Sequence, residues 1–467
     1  MKKFLFSFLI FSAYLHATLT GANFTQRDVH ILEDLDINPS FITDYKLQEI
    51  YEKLQNQASM EHYIKKFEEA SIFLPRIKEI LREEGIPTSF IYMAMAESYF
   101  TIDARSNAKA TGLWQFMYET GKRYGLNSNI YVDERMDLVK STVAATKYLK
   151  ALHKRFGKWY LAAIAYNCGE GRVVEALTRA SLDLYIQKNP KLKSDKKIKE
   201  YRKVIYDYQK RRTRFKNLRA VYKEVQKLGI RPELEYLLRV QPKVGRQYLP
   251  QESRRYIRKI ISFGMLNSQN FIKIDENSHL LNMGISKTIA TVPVKGGLHL
   301  KNIAKAIDMS YDDLLNLNKH IKQSIIPPTK KYYTINIPYD KLTLFNKNSA
   351  SIKDTKFAIH VVKSGDTLYG ISRKYKVPLK LIKEYNHLKT TRLALRQKIE
   401  LPIPNDMIGK INFTLFDDRK RTKNYIVKNG DSLYSIAKKY KVDVKKLMRD
   451  NKLKTTLLKI GDSIVIR

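Results

Sequence analysis

Apolar residues return at helical spacing from about Asp44 to Glu84, with Tyr63, Phe67, Ala70, Leu74, Ile77 and Leu81 in phase and Gly85 as a stop. Pro87-Thr88-Ser89 then predicts the start of another helix, on which Phe90, Met93, Ala94 and Glu97 fall at i, i+3, i+4 and i+7. A carboxylate on an apolar face points into the protein, where desolvation raises its pKa and makes it a usable general acid near neutral pH. A buried salt bridge would show the same pattern. Helical spacing resumes from Ser141 to Phe156 and leads into the apolar stretch Trp159 to Asn167, so the first half of the chain reads as all-helical.

After Phe263 the pattern changes to short alternating segments and short helices. The stretch His360-Val361-Val362-Lys363-Ser364-Gly365-Asp366-Thr367-Leu368-Tyr369-Gly370-Ile371 is echoed 65 residues later, from Tyr425 to Ile436, and the echo runs on through Asn386 and Asn451. A weaker copy lies 68 residues upstream, with Val294-Lys295, Leu300, Ile303 and Asn318 in register and Gly296-Gly297 read as standing where the others have Gly-Asp. Each copy predicts strand, helix, helix, strand, closing at Tyr333 to Pro338, Lys398 to Ile403 and Ser463 to Ile466. Units of about 45 residues are near the lower limit for an independent core. The fold class expected is multidomain α+β, a helical part followed by small βααβ modules.

Length, composition and charge sharpen this picture. The chain of 467 residues is long enough for three or four units. Met1-Lys2-Lys3, an apolar run from Phe4 to Leu15 and Ala17 describe a secretory signal over 1–17, too short to span a bilayer, so no transmembrane span is expected in the mature protein. Cys168 is the single cysteine, which excludes an internal disulfide framework and thiol-based metal sites, and it reads as a packing residue without a histidine base beside it. The histidines show no metal-ligand spacing, so neither metal nor cofactor is expected. The formal charge of +40 calls for an anionic environment. With an export signal, that means envelope polymers or anionic envelope surfaces, not nucleic acid. Between Gln187 and Arg246 there are 20 Lys/Arg against 6 Asp/Glu, interleaved with Tyr201, Tyr206, Tyr208, Phe215 and Tyr222. That segment reads as a solvated helical face over a packed aromatic stripe, or as a patch for an anionic polymer.

Four ordered blocks then resemble a known family. Glu97-Ser98 with Phe100, Ala104 and Ser106; Gly112-Leu113-Trp114-Gln115-Phe116-Met117 with Thr120-Gly121 and Tyr124-Gly125-Leu126; Ala165-Tyr166-Asn167 with Gly169, Gly171 and Val173; and Leu249-Pro250-Gln251-Glu252-Ser253-Arg254-Arg255-Tyr256-Ile257 are similar to the soluble lytic transglycosylases. The βααβ repeats resemble LysM modules. The resemblance implies a lysozyme-like helical domain that cleaves the β-1,4 bond between N-acetylmuramic acid and N-acetylglucosamine, leaving 1,6-anhydromuramoyl ends. It implies Glu97 as acid and then base, Ser106, Gln115, Met117, Tyr166 and Tyr256 as substrate contacts, and Trp114 as core. For Glu252 it leaves a cleft-closing, helix-end or salt-bridge role. In the repeats it implies glycan contacts from Gly365, Asp366, Thr367, Leu368 and Asn386, and from Gly430, Asp431, Ser432, Leu433 and Asn451. Two features depart from the family: there is no cysteine for lipid attachment, and the basic segment widens the spacing between Tyr166 and Glu252.

The organisation expected is a signal at 1–17, an N-terminal helical region at 18–71, a catalytic domain at 72–263 with the basic insertion at about 187–246, a degenerate LysM-like module at 285–340 and LysM modules at 358–404 and 423–467. The implied protein is an exported, periplasmic enzyme, on the peptidoglycan layer or the outer membrane. Two other readings share these residues. A lysozyme-like hydrolase would need a second carboxylate about 5 to 5.5 Å from the first, for which Asp103, Glu119 and Glu170 are candidates. A non-catalytic wall-binding protein would need only the repeats and the basic segment.

Overall fold

The periodic run between Asp44 and Glu84 breaks into separate helices because local capping interrupts it. A computed structural model describes residues 26–242, 244–268, 288–328, 330–352, 357–404 and 423–466, apart from 428, 429, 441, 452, 454, 459 and 460 in the last stretch. The expected signal at 1–17 lies outside them. Helix α1 (Gln26–Asp34) is followed by α2 (Tyr45–Leu54), α3 (Gln57–Ala70) and α4 (Leu74–Glu83). The Asp44 side chain accepts from the Leu47 N–H to open α2, Asn56 does the same for Ser59 at α3, and Pro75 sits in the first turn of α4. The in-phase residues Tyr63, Phe67, Ala70, Leu74, Ile77 and Leu81 are all buried, as their spacing predicts.

The next helices are α5 (Ile91–Ser98), α6 (Tyr118–Arg123), α7 (Leu138–Phe156), α8 (Trp159–Cys168) and α9 (Glu170–Lys188). The basic segment supplies α10 (Lys196–Gln209), α11 (Phe215–Gln226) and α12 (Leu234–Leu238), and α13 (Gln251–Ser268) returns to the centre. Helix α13 packs on α1, α2, α5 and α8. The region expected at 18–71 is therefore not set apart: α1, α2 and α3 share one apolar core with α5, α8 and α13. Arg258 Nε donates to Asp44 Oδ1 at 2.7 Å and the Tyr63 hydroxyl donates to the Phe263 carbonyl at 2.9 Å, fastening the ends of the domain together. Among the described residues no helix is long and apolar enough to cross a membrane.

The basic segment is a folded part of this domain. Ile198, Ile205, Leu218, Val221, Tyr222 and Val225 are buried, whereas Tyr206 is exposed. Its anchor is Glu175 on α9, which has no exposed side-chain surface. Arg246 Nη2 lies 2.6 Å from Glu175 Oε2, Arg172 Nη1 lies 2.5 Å from the same oxygen, and Gln209 Nε2 donates to Oε1 at 2.7 Å. Burial alone would raise this carboxyl, but those donors outweigh it and hold its pKa below the ordinary value.

The same unit, which runs to Thr355, includes the first repeat: β1 (Ile289–Lys295), α14 (Leu300–Ala306), α15 (Tyr311–Leu317) and β2 (Tyr332–Pro338), with α16 (Leu342–Asn348) added beyond the expected end at 340. Strands β1 and β2 pair antiparallel from Ile289↔Pro338 to Lys295↔Tyr332. Its turn corrects the register read from sequence. Gly297 has φ +84, beside +85 at Gly365 and +83 at Gly430, so the left-handed glycine is kept and it is Asp366 that Leu298 replaces.

The second unit, Lys356–Arg467, holds the other two repeats. One has β3 (Phe357–Val361), α17 (Leu368–Tyr375), α18 (Leu379–Tyr385) and β4 (Lys398–Pro404). The other has β5 (Lys423–Ile426), α19 (Leu433–Tyr440), α20 (Val444–Asp450) and β6 (Ser463–Ile466). Each pairs its strands antiparallel, giving the expected βααβ order.

Candidate active site

Helix α5 is buried nearly all round, Ile91, Tyr92 and Met95 as well as Phe90, Met93 and Ala94, so no single apolar face directs Glu97. The carboxylate lies instead at the last turn, where the helix emerges from the core and is only half-buried. Tyr99 (φ 49) and Phe100 (φ 57) then turn the chain through left-handed conformations that non-glycine residues seldom adopt. Packing holds them there. Phe100 packs edge-on to Phe67 at 5.2 Å, Tyr99 meets Phe263 at 5.9 Å, and Ser98 Oγ donates to the Leu113 carbonyl at 2.9 Å.

Desolvation raises the Glu97 pKa from 4.5 to about 7. The Tyr256 hydroxyl, which donates to Glu97 Oε1 at 2.6 Å, and the Lys259 ammonium both oppose that rise, and Glu252 adds weakly to it. Burial and the neighbouring Glu97 push the Tyr256 phenol well above its usual pKa, so it remains the donor. A carboxyl with these neighbours is poised to give up a proton and to take one back near neutrality. Tyr256→Phe removes a donor that favours the carboxylate. The alkaline limb of the kcat profile should therefore move to higher pH; an unchanged or lowered limb would contradict this placement of Tyr256.

The loop from Ala104 to Met117 is held by a network of its own. Gln115, in a left-handed conformation, donates from Nε2 to the carbonyls of Gly112 at 2.8 Å and Ala104 at 3.2 Å. Ser106 Oγ accepts from the Ala110 N–H at 3.0 Å. The Tyr166 hydroxyl donates to the Trp114 carbonyl at 2.7 Å, and its pKa is raised by burial and by Glu97. Trp114 is fully buried and donates to Thr142 Oγ1 at 2.9 Å, a core residue. Met117 and Tyr118 are exposed where α6 begins. The structure thus joins Glu97 directly to Tyr256, ties Tyr166 to the loop within electrostatic reach of Glu97, and turns the Gln115 amide nitrogen toward the protein backbone. Asn167 Oδ1 accepts from Ser253 Oγ at 2.6 Å, tying α8 to α13.

Residues that sequence reasoning passed over hold this loop from behind. Arg135 donates to the carbonyls of Phe116 and Lys109, both at 3.2 Å, and pairs with Asp133 at 2.8 Å. Gly112 lies so close to Arg135 that a Cβ there would stand 1.8 Å from its carbonyl oxygen. The first repeat braces the same segment: the Asp133 N–H donates to the His320 carbonyl at 2.9 Å, Lys322 N–H to Tyr131 at 2.8 Å, and the Tyr333 hydroxyl to buried Glu134 at 2.8 Å. A buried acidic run, Asp133-Glu134-Arg135-Met136-Asp137, was the available signal.

The three carboxylates considered as a second catalytic group lie in other settings. Asp103 is 4.0 Å from Lys319, Glu119 is exposed in the first turn of α6, and Glu170 is paired with Arg155. The carboxylate that acts on Glu97 is the exposed Glu252, overlooked for that role.

In the repeats, several residues expected to touch glycan also hold the modules together. Leu368 and Leu433 are core residues. Asn386 Nδ2 donates to the Ile382 and Glu400 carbonyls at 2.9 and 2.7 Å while its Oδ1 accepts from the Glu400 N–H at 2.7 Å. Asn451 repeats this with Leu447 and Val465, and Asn318 with Leu314 and Asn336. Asp366 accepts from the Lys363 N–H at 2.8 Å and meets His360 Nε2 at 2.8 Å; Asp431 accepts from Tyr425. Thr367 and Ser432 cap the helices that follow. Gly365 and Gly430 supply the turns. What the modules expose is an aromatic ring at the same place in each, Tyr369 and Tyr434, visible in sequence as the shared Leu-Tyr pair.

Comparison with known families agrees with this architecture. Residues 76–184 match the transglycosylase SLT domain, 360–402 and 425–467 match the LysM domain, and 288–354 match the LysM-like domain of lytic transglycosylase MltD. The chain is therefore built from a transglycosylase SLT domain followed by one MltD-type LysM-like domain and two LysM domains. It is 26% identical over 402 residues to membrane-bound lytic murein transglycosylase D of Escherichia coli strain K12, covering 83% of this chain and 74% of that protein. A more local likeness, 28% over 124 residues, covers 25% of this chain and 39% of the cell wall-binding protein YocH of Bacillus subtilis.

Proposed function

We propose that this protein is a peptidoglycan lytic transglycosylase, retained on the wall by its LysM modules, and that Glu97 performs both halves of the reaction. The observation that carries the catalytic assignment is Glu97 itself, a carboxyl raised to about 7 at the mouth of the core, with the Tyr256 hydroxyl 2.6 Å away. Protonated Glu97 gives its proton to the bridging oxygen as the bond to muramyl C1 breaks, and N-acetylglucosamine leaves with a free 4-hydroxyl. The resulting carboxylate takes the proton from the C6 hydroxyl as O6 bonds to C1. The ring closes, Glu97 is protonated again and no water is consumed. Tyr256 and Lys259 stabilise the carboxylate between the two steps. Tyr166, through the Trp114 carbonyl, fixes the loop carrying Ser106, Gln115 and Met117 against the reacting sugar. Solubilisation of purified sacculi by the wild type and not by Glu97→Gln tests this; binding without turnover by both would favour a non-catalytic wall-binding protein.

Glycan retention falls to the second unit. Exposed Tyr369 and Tyr434 suit stacking on sugar faces. Replacing both by Ala should weaken sacculus binding about tenfold, on the order of 1 to 1.5 kcal/mol, in a co-sedimentation assay. Unchanged binding would move the glycan face elsewhere on the modules. The net charge of +40 supports a periplasmic setting beside anionic envelope surfaces. Binding to vesicles of anionic phospholipid should then fall as salt rises past the range where screening acts within about 8 to 10 Å; salt-insensitive binding would contradict an electrostatic contact.

A further inference from the structure

Beyond Tyr256 the site opens into a cavity of about 600 Å³ between α2 and α13. Lys53, Glu252, Arg255 and Lys259 give it three cations and one carboxylate, and Leu54 and Ala96 give it an apolar lining. Tyr256 lines the cavity and its hydroxyl holds the Glu97 carboxyl at 2.6 Å, so this one side chain separates the cavity from the reacting group. Lys53 reaches Glu49 at 2.7 Å and Lys259 acts electrostatically on Glu97, whereas among the described residues Arg255 is in no ion pair with a carboxylate. The Lys259 ammonium lies over the Tyr99 ring at 4.5 Å and the Phe263 ring at 5.2 Å, which steadies it toward the cavity. Both walls lie outside residues 76–184; α13 carries the fourth of the family-like blocks, and α2 carries none of them.

The sugar backbone of a muramyl glycan, hydroxyls and N-acetyl groups, carries no formal charge. Its negative charge sits on the muramyl substituent: the lactyl carboxylate when no peptide is attached, or the carboxylates of the attached peptide. A cationic cavity beside the acid has nothing to recognise in the sugar rings and a complementary group in that substituent. We propose that the cavity is a carboxylate subsite, in which Arg255 and Lys259, assisted by Lys53, hold the acidic substituent of the muramyl residue at the bond being broken. This rests on the transglycosylase reading and deepens it. The apolar lining accommodates the methyl and methylene groups next to the carboxylate.

The test uses the full chain and glycans of one length in three forms: peptide-bearing, peptide-free with the lactyl carboxylate exposed, and peptide-free with that carboxyl converted to its methylamide. Wild type should favour a carboxylate form over the methylamide about tenfold in kcat/KM, the scale of a charge-assisted hydrogen bond. Preference for the peptide-bearing form alone assigns the carboxylate to the peptide, preference for the free lactyl form alone assigns it to the lactyl group, and preference for both shows that the subsite accepts either carboxylate. Arg255→Gln should lower the ratio at least threefold, and Arg255→Lys should keep it. Equal rates on all three glycans, or a wild-type ratio in an Arg255→Gln protein with an unchanged melt, overturns the subsite. If Arg255→Gln does not fold, Lys53→Gln on the exposed side of α2 is read by the same ratio, with a fall supporting the proposal and an unchanged ratio overturning it. Affinities of a Glu97→Gln protein for the three glycans read the subsite without turnover. A charge preference in binding with no cleavage by the wild type sinks the transglycosylase reading and leaves the subsite standing.

Discussion

Glu97→Gln should lower kcat on sacculi by about two to four orders of magnitude, the usual contribution of a positioned general acid, while sacculus binding remains. Glutamine has nearly the same shape and can still meet the Tyr256 hydroxyl, but it can neither give nor recover a proton. The same change should stabilise the fold at high pH. The carboxyl has its pKa raised from 4.5 to about 7 on folding, so its contribution is fully present below about 4.5 and is lost as pH rises through about 7. Above that the wild type carries a charge that its surroundings disfavour and the variant does not. A melting temperature for Glu97→Gln above that of wild type at pH 8, with little difference at pH 4, is expected together with the lost activity. An equal or lower melting temperature at pH 8 would mean that the carboxylate is stabilised in its site, as a buried salt bridge would stabilise it.

The second large effect falls on stability and lies far from the chemistry. Glu175→Ala leaves Arg172, Arg179 and Arg246 gathered around a vacated position, since Arg179 Nη1 also lies 3.4 Å from Glu175 Oε1. Removing one member of a buried charge cluster costs about 3 to 5 kcal/mol. In a helical unit of this size that is a fall on the order of 10 °C in its melting transition. Because Glu175 binds the returning chain at Arg246 to α9 and α10, limited proteolysis should cut first between Gln187 and Arg246. A loss under about 1 kcal/mol would show that the basic segment is held by its buried Ile205, Leu218 and Val225 and not by this cluster.

Local periodicity made the helical core legible because burial follows phase directly: Tyr63, Phe67, Leu74 and Leu81 are where their spacing puts them. The βααβ order was legible for a different reason, since three copies in one chain repeat the same alternation. Glu97 could be singled out but not explained. Its surroundings come from Tyr256 and Lys259, some 160 residues away in sequence, and from the end of a helix that is apolar on every side. The structural part played by Asn386 and Asn451 was hidden for a related reason. A polar residue repeated between modules looks like a ligand contact, yet a module of this size needs a side-chain amide to satisfy the backbone where helix meets strand. The bracing of the catalytic loop by the first repeat, through His320, Lys322 and Tyr333, joins positions about 190 residues apart and had no local signature.

The fate of water at the newly formed end tests the central claim most directly. Sacculi digested in water enriched in oxygen-18 and analysed by mass spectrometry should release muramyl ends in the 1,6-anhydro form, 18 mass units below a reducing end by loss of one water, with no heavy oxygen incorporated. Reducing N-acetylmuramic acid ends carrying oxygen-18 would contradict it, and would identify a hydrolase in which a second carboxylate, with Glu252 the first to examine, serves beside Glu97.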